Sequence, residues 1–483
     1  MDLHSLSYTY NSLAPSIMLR ILTLSLVTFC VVSTGHAQTW TSLVDGDDLS
    51  GWEKLGGEAT YVASDGTVTG TTSENTPNTF LATKQSYSDF ALSVEVWVDP
   101  EINSGIQIRS ESKEDYLNGR VHGYQVEIDP SPRAWSGGIY DEARRGWLYP
   151  LSVNEDCRGA FNPQGWNHYY IEAIGPSIRT WVNDVPCAAL YDNMTASGFI
   201  ALQVHSVDRS ELSGRNVHWR NIRIMDENVA PREWTSNYVV NLVPNSLSEQ
   251  EIEQGFTLLF DGKTTDGWRG AGKETFPEKG WKVQDGVLMV EASGGAEAAY
   301  GGDIVTVDEY STFEFSLDFK LSEGANSGIK YYITESYGSD ASAIGLEYQL
   351  LDDERHPDAT QGAAGNRTLG SLYDLIPAHE GKTVRKPGQW NRARIVVTGT
   401  RVDETVTGSR MMESEFKGAH VEHWLNDRKV VVYERGTPVF DALVARSKYV
   451  VWEGFGHWPQ GHILLQDHGD EVHFRSIKVR KID

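Results

Sequence analysis

The sequence predicts an all-β protein made of two antiparallel β-sandwich, or jelly-roll, domains in tandem. Three observations predict it. Apolar and polar residues alternate with period two over many short runs. Those runs are punctuated by Gly, Asn, Asp and Pro, and the chain holds 46 glycines. The same ordered blocks also occur twice, which marks a duplicated domain.

The chain opens on a segment that reads as a removable export signal. Arg20 precedes "ILTLSLVTFCVV" and then "STGHAQ", so a cut after Ala37 would use the small residues Gly35 and Ala37. The apolar run is too short to span a bilayer comfortably, and Met18 is an alternative start. Cys30 is a poor lipid-anchor site because bulky Phe29 precedes it. The expected outcome is therefore export from the cytoplasm. Export leaves Cys157 and Cys187, about 30 residues apart. In an oxidising compartment they would pair and contribute roughly 3–4 kcal/mol; two buried thiols are the other reading.

The first copy spans 38–228. "LVDGDDLSGW", "DFALSVEVWVDPEINSGI", "GYQVEID", "IRTWVND", "GFIALQVH" and "VHWRNIRI" return as "LFDGKTTDGW", "TFEFSLDFKLSEGANSGI", "GLEYQLLD", "VEHWLND", "GHILLQDH" and "VHFRSIKV" in the second copy, 254–483. A linker, 229–253, holds "NSLSEQEIEQG", which predicts a short helix capped by Ser246 or Ser248 and stopped by Gly255. Each unit is too long for a solenoid repeat and should own a core.

Alternation also assigns faces. In the first copy Phe90, Leu92, Val94, Val96, Val98, Ile106, Ile108, Tyr124, Val126 and Ile128 point inward. Glu95, Trp97, Gln107, Arg109, Gln125, Glu127 and Asp129 are then expected on the other face. The second copy offers Asp318, Lys320, Lys330, Tyr332, Glu347, Gln349 and Asp352. Amides, carboxylates, cations and rings together suit a sugar; an ordinary solvated face is the plainer reading. Trp135, Tyr140, Asp141, Arg144, Arg145 and Trp147 crowd one polar loop. Gln203 and His205 share a face. Tyr373, His423, Asn426 and the cluster Asp352, Asp353, His356 and Asp358 complete the second set. Asn103 and Asn326, in the repeated Asn-Ser-Gly, serve the turn in one reading and the ligand in the other.

A formal charge of −25 argues against nucleic acid or an anionic membrane as partner. No dinucleotide, phosphate-loop, nucleophile-elbow or zinc motif occurs, and no cofactor is implied. A divalent cation on the acid cluster is the alternative, with no metal site assigned.

The blocks "NSGIKYYI", "GLEYQLLDDERHPDA", "GSLYDLI", "KPGQWNRARIVV" and "VEHWLND" resemble the 3-keto-disaccharide hydrolase domain family. The first copy resembles a sister branch through "RVHGYQVEIDPSPRAWSGGIYDEARRGWLYPL". The resemblance implies concanavalin-like jelly rolls and exported enzymes that cleave glycosides oxidised at C3. A 3-keto group acidifies the C2 proton, so a base near neutral pKa and a donor for the enolate would suffice. By residue type, His356 or Glu347 would be the second copy's base. Lys330, Tyr332 or His423 would steady the enolate, and Gln349, Tyr373 and Asn426 would orient hydroxyls. In the first copy Glu127 or His205 would be the base and Arg109 the enolate partner. A separate sugar 3-dehydrogenase would supply the substrate. Two readings compete: a direct glycoside hydrolase with a carboxylate pair, and a non-catalytic tandem carbohydrate-binding protein.

Overall fold

The computed structural model describes residues 39–235, 238–294, 300–335, 343–407 and 411–482. The expected signal at 1–37, with Met18 and Cys30, lies outside the described residues. Among the described residues, no helix is long and apolar enough to cross a membrane.

Each copy folds as a β-sandwich with its own core. In the first, a nine-stranded sheet centres on Phe90–Val98, flanked by Asn167–Ile174 and Asn216–Met225. A seven-stranded sheet covers it, in the order Gly146–Tyr149, Ile139–Glu142, His122–Ile128, Ser104–Glu111, Phe199–Val204, Thr79–Thr83, Trp52–Gly56. In the second, an eight-stranded sheet around Phe313–Leu321 faces a five-stranded one: Trp268–Gly270, Ile304–Thr306, His462–Leu465, Asn326–Thr334, Ile344–Leu351. The alternating apolar residues meet between the sheets, Leu92, Val94 and Val96 with Ile106, Tyr124 and Val126, and Phe315, Leu317 and Phe319 with Ile329, Tyr331 and Tyr348. These are jelly-roll sandwiches of the kind the alternation predicts.

The repeated Asn-Ser-Gly corner is a crossing between sheets. Phe90–Val98 belongs to one sheet and Ser104–Glu111 to the other. Their outer faces therefore look in opposite directions, and the single polar face expected from alternation splits in two. Trp97 lies on the outside of the nine-stranded sheet against His218, ring centroids 5.3 Å apart, and Glu95 pairs there with Arg220. Asp318 likewise pairs with Arg392 and Arg475 on the eight-stranded sheet, away from the five-stranded one.

The stretch between the copies is built into the structure. Trp234 packs on Trp181, and Val240–Asn241 adds a parallel edge to the nine-stranded sheet. The helix Glu249–Glu253 follows, capped by Ser248, with Glu251 closing a capping box. Tyr238 Oη donates to Asp427 Oδ1 of the second sandwich at 2.7 Å, and Arg392 donates to the Asn241 carbonyl at 2.6 Å. Cys157 and Cys187 are disulfide-bonded, tying the helix Glu155–Arg158 to the strand Val185–Tyr191.

Candidate functional site

The outer face of the seven-stranded sheet carries a cleft of about 1030 Å³. Its floor is a network of side chains from three adjacent strands. Gln107 and Gln203 both donate to Gln125 Oε1 at 2.8 Å, and Gln125 donates to Glu127 Oε2 at 3.0 Å. Asn103 donates to Glu127 Oε1 at 2.9 Å. Gly105 makes room: a Cβ there would stand 2.5 Å from Gln125 Cδ. Ser104 Oγ donates to the Gln203 carbonyl at 2.7 Å and ties in the third strand. Each residue of the repeated triplet thus has a distinct task.

Glu127 is only 4% exposed. Burial raises its pKa, against the pull of Asn103, Gln125 and the Arg133 guanidinium. Arg133 donates to Glu127 at 2.8 Å and to Asp129 at 2.7 Å, and packs 5.0 Å from the centroids of both Trp135 and Trp147. Tyr140, Trp147, Glu142 and His205 form the walls. The His205 ring has Nδ1 2.8 Å from the Ser206 carbonyl. Nδ1 is therefore the donor, which in the neutral ring leaves the lone pair on Nε2.

The second sandwich repeats this constellation in register. Gly105 pairs with Glu127 as Gly328 pairs with Gln349, and Gln107 with Gln125 as Lys330 with Glu347. Asn326 stands where Asn103 does, Gln466 where Gln203 does, and His468 where His205 does. Ser327 Oγ donates to the Gln466 carbonyl at 2.8 Å, and a Cβ on Gly328 would stand 2.5 Å from Glu347 Oε1. The carboxylate and the amide have exchanged places: with its amide turned so that the nitrogen faces the acceptors, Gln349 donates to Glu347 Oε1 at 3.3 Å and to the Ser327 carbonyl at 3.0 Å. Lys330 Nζ lies 3.9 Å from Asp303, and Lys448 Nζ 4.3 Å from the Tyr373 ring centroid. The His356 and His468 rings meet edge to face at 6.3 Å. His356 Nδ1 accepts from Asp358 N at 3.2 Å, so its proton sits on Nε2. Burial first, then His468, lowers its pKa against Asp470, Asp358 and Asp352.

Several expected site residues lie elsewhere, for two reasons. The first is a bulge at the same place in both copies, where Arg109 (φ 44°) and Tyr332 (φ 54°) adopt left-handed backbone. Pairing shifts there and the side chains reverse. Arg109 reaches Ser88, Gly175 and Asp89 at the nine-stranded sheet. Tyr332 is buried under Arg435, 3.6 Å from its ring centroid, and donates to Ser311 O. The second reason is membership of the opposite sheet. His423 lies in the core, its Nε2 2.8 Å from Tyr331 Oη, and burial lowers its pKa to about 4. Asn426 closes the turn after Met411–Leu425, donating to Thr383 O at 2.9 Å and Asn391 Oδ1 at 2.8 Å.

Other expected residues act as supports. Trp135 is buried edge-to-face on Trp147, with Arg428 over its ring. Asp129 holds Arg133 and the Trp135 amide. Asp141 pairs with Arg144 and Arg145. Asp352 accepts Gly324 N and pairs with Arg355; Asp353 pairs with Lys382; Asp358 pairs with Arg367 and accepts from Tyr373 at 2.8 Å. Among the described residues, no three His, Cys, Asp or Glu side chains are arranged to hold a metal ion. Alternation missed Arg133, whose signal is its place four residues after Asp129. It also missed His468, which the repeat alignment places opposite His205.

The model of the 3-keto-alpha-glucoside-1,2-lyase-like domain matches residues 39–225 and again 255–480. The chain belongs to that family. A 3-keto-disaccharide hydrolase of Bacteroides thetaiotaomicron is 33% identical over 287 residues, covering 53% of this chain and 90% of the relative. Two solved structures of candidate glycosyl hydrolases from Parabacteroides distasonis are also similar. One is 29% identical, covering 50% of this chain and 100% of the other, with a TM-score of 0.40. The second is 26% identical, covering 47% and 99%, with a TM-score of 0.33. The family thus occurs twice in one chain.

Proposed function

We propose that this chain is an exported enzyme that cleaves 3-keto-glycosides by proton abstraction at C2 and elimination at C1. The observation that carries the reading is the repeated constellation on the outer sheet face: Asn103, Gln125, Glu127, Gln203 and His205, and again Asn326, Glu347, Gln349, Gln466 and His468. The family description, a 1,2-lyase of 3-keto-glucosides, and the relative's name support the substrate class. The Cys157–Cys187 bond supports export, because such bonds persist in oxidising compartments.

In the first cleft, the His205 Nε2 lone pair takes the C2 proton. The electrons move onto O3 as an enolate, which faces the Arg133 guanidinium and the neighbouring amides. The enolate then collapses. C3=O reforms, C1=C2 forms, and the C1–O bond breaks, its electrons leaving with the aglycone oxygen, which takes a proton. Water adds across C1=C2 afterwards, giving net hydrolysis. In the second site His468 is the base, and neutral His356 donates from Nε2 to the enolate. The carboxylates fit supporting roles: Glu127 is held by Asn103, Gln125 and Arg133, and Glu142 by Arg120.

The test is cleavage of a 3-keto-glucoside in D₂O, followed by NMR, with the unoxidised glucoside as control. Cleavage of the keto form alone, with deuterium at C2, is expected. His205→Gln and His468→Gln, singly and together, assign the activity to a site. Saturable binding of the keto sugar with no cleavage would instead make the chain a tandem carbohydrate-binding protein.

A further inference from the structure

A second cleft, of about 630 Å³, lies between the two sandwiches. Arg144 and Arg145 enter it from the tip of the Ile139–Tyr149 hairpin, and Arg385, Arg392 and Arg475 from the second sandwich. Five guanidiniums around one cleft are unexpected in a chain of charge −25.

The carboxylates nearby are already matched. Asp141 pairs with Arg144 at 2.6 Å and Arg145 at 2.5 Å, and Asp192 with Arg145 at 2.6 Å. Asp318 pairs with Arg392 at 3.1 Å and Arg475 at 3.3 Å. Asp427 lies 4.0 Å from Arg392 and accepts from Tyr238. Four carboxylates thus face five guanidiniums, and the one left over is Arg385. It makes no ion pair among the described residues; its one side-chain bond is a 3.4 Å donation to the Trp390 carbonyl. It is nevertheless partly buried; burial first, then Arg392 and Arg145, lowers its pKa, against the pull of Asp427 and Asp318. Holding a cation there costs free energy that Asp427 and Asp318, each already engaged by other groups, offset only in part. The remaining lining holds apolar Leu148, Met194, Leu242, Pro244 and Trp390 beside four amide side chains.

We propose that this interdomain cleft binds a small organic carboxylate, its oxygens on Arg385 and its ring against the Trp390 and Met194 wall. A guanidinium presents a planar fork that fits a carboxylate in two bonds. Glucuronate and 4-hydroxybenzoate share that chemistry, one as an acidic sugar and the other as an aromatic acid. The site is separate from the two sheet-face constellations, and nothing in the proposal depends on their chemistry.

The experiment titrates the full chain by calorimetry with sodium glucuronate, 4-hydroxybenzoate, glucose and sodium sulfate at constant ionic strength. The proposal expects saturable binding of at least one carboxylate, with glucose and sulfate far weaker. Which carboxylate binds identifies the source. Arg385→Gln is expected to weaken binding by about tenfold to a hundredfold, the loss of one charge-assisted bidentate contact. Arg385→Lys should keep part of it. Unchanged melting temperatures without ligand show that both variants fold. If either does not fold, Met194→Asp on the exposed wall is the second variant, and it too should weaken binding. Absence of saturable carboxylate binding, sulfate binding as tightly as either carboxylate, or unchanged affinity in the folded Arg385→Gln chain would each overturn the proposal.

Discussion

Asn103 donates a hydrogen bond to Glu127 Oε1 at 2.9 Å, from the corner where the chain crosses sheets to a strand that begins 19 residues later. Asn326 lies beside Gln349 in the same way, with a 3.4 Å contact between their amide groups. The repeated corner therefore places a polar arm on the residue at the centre of each candidate site. The turn brings that arm to a carboxylate in the first copy and to an amide in the second.

Replacing Asn103 tests that arm. Asn103→Ala leaves a buried carboxylate one donor short, at a cost of about 1–3 kcal/mol when Glu127 is ionised. Burial already raises the pKa of Glu127, and losing Asn103 raises it further. A carboxyl with a raised folded pKa favours the folded state as it protonates. The penalty is therefore largest at neutral pH and shrinks in acid. Urea unfolding of both chains across that range gives the difference.

The glycine of the triplet is the next test. A Cβ at position 105 would lie 2.5 Å from Gln125 Cδ, and at position 328 the same distance from Glu347 Oε1. Neither glycine has positive φ, so the strain is purely steric. Gly105→Ala and Gly328→Ala are each expected to cost about 1–3 kcal/mol, as overpacking does. Each should weaken sugar binding at its own site only. Titration of single-site backgrounds reads that separation.

Most of the fold was legible in the chain. Period-two runs named the inward residues, and the duplicated blocks named the two halves. Gln125, Glu127, Gln203 and His205 came together because His122–Ile128 and Phe199–Val204 flank Ser104–Glu111 in one sheet. Two features escaped the pattern. A one-residue bulge inverts parity at Arg109 and Tyr332, and no local residue type announces it. Alternation also cannot tell which of two sheets a strand joins, so Trp97 falls on a different face from Gln107 and Glu127, whereas the period does put His423 on the side of Val421 and Leu425, where it is buried. Arg133 escaped because it lies on a loop, where neither period applies.

His423 makes an acid-stability prediction. It is fully buried, and burial lowers its pKa from 6.5 to about 4. The unfolded chain then binds a proton that the folded chain refuses between those values. Stability is complete above the unfolded pKa and falls with pH through that window, by up to about 3 kcal/mol. His423→Gln should flatten this slope. Melting temperatures of both chains at matched pH check it, and an unchanged slope would count against a neutral His423.

The junction between the sandwiches makes another. Glu251 is buried; it closes the cap of its helix and pairs with Lys478, which is buried as well. Glu251→Gln keeps the shape and removes the charge. Lys478 would be left as a buried cation without its counter-ion, at a cost of about 3–5 kcal/mol. Replacing Lys478 with Met in the same chain should recover part of that loss. A double-mutant cycle by denaturant unfolding measures the coupling.

Arg133 offers the sharpest test of the first cleft. It bridges Glu127 and Asp129 and lines the first cleft, where the proposed mechanism forms an enolate. Arg133→Met keeps much of the stem that packs near Trp135 and Trp147 and removes the charge. With His468→Gln silencing the second site, cleavage of a 3-keto-glucoside should fall about 10²–10³-fold in kcat, the usual effect of losing an oxyanion partner. Arg133→Lys should fall less, because it keeps the charge but lacks the planar fork. The guanidinium is about two-fifths exposed, so its pair with Glu127 adds little to stability. A large loss of rate with a small change in melting temperature is thus the expected signature. Full cleavage with deuterium at C2 in the Arg133→Met chain would remove Arg133 from the chemistry and leave the amides as the enolate's partners.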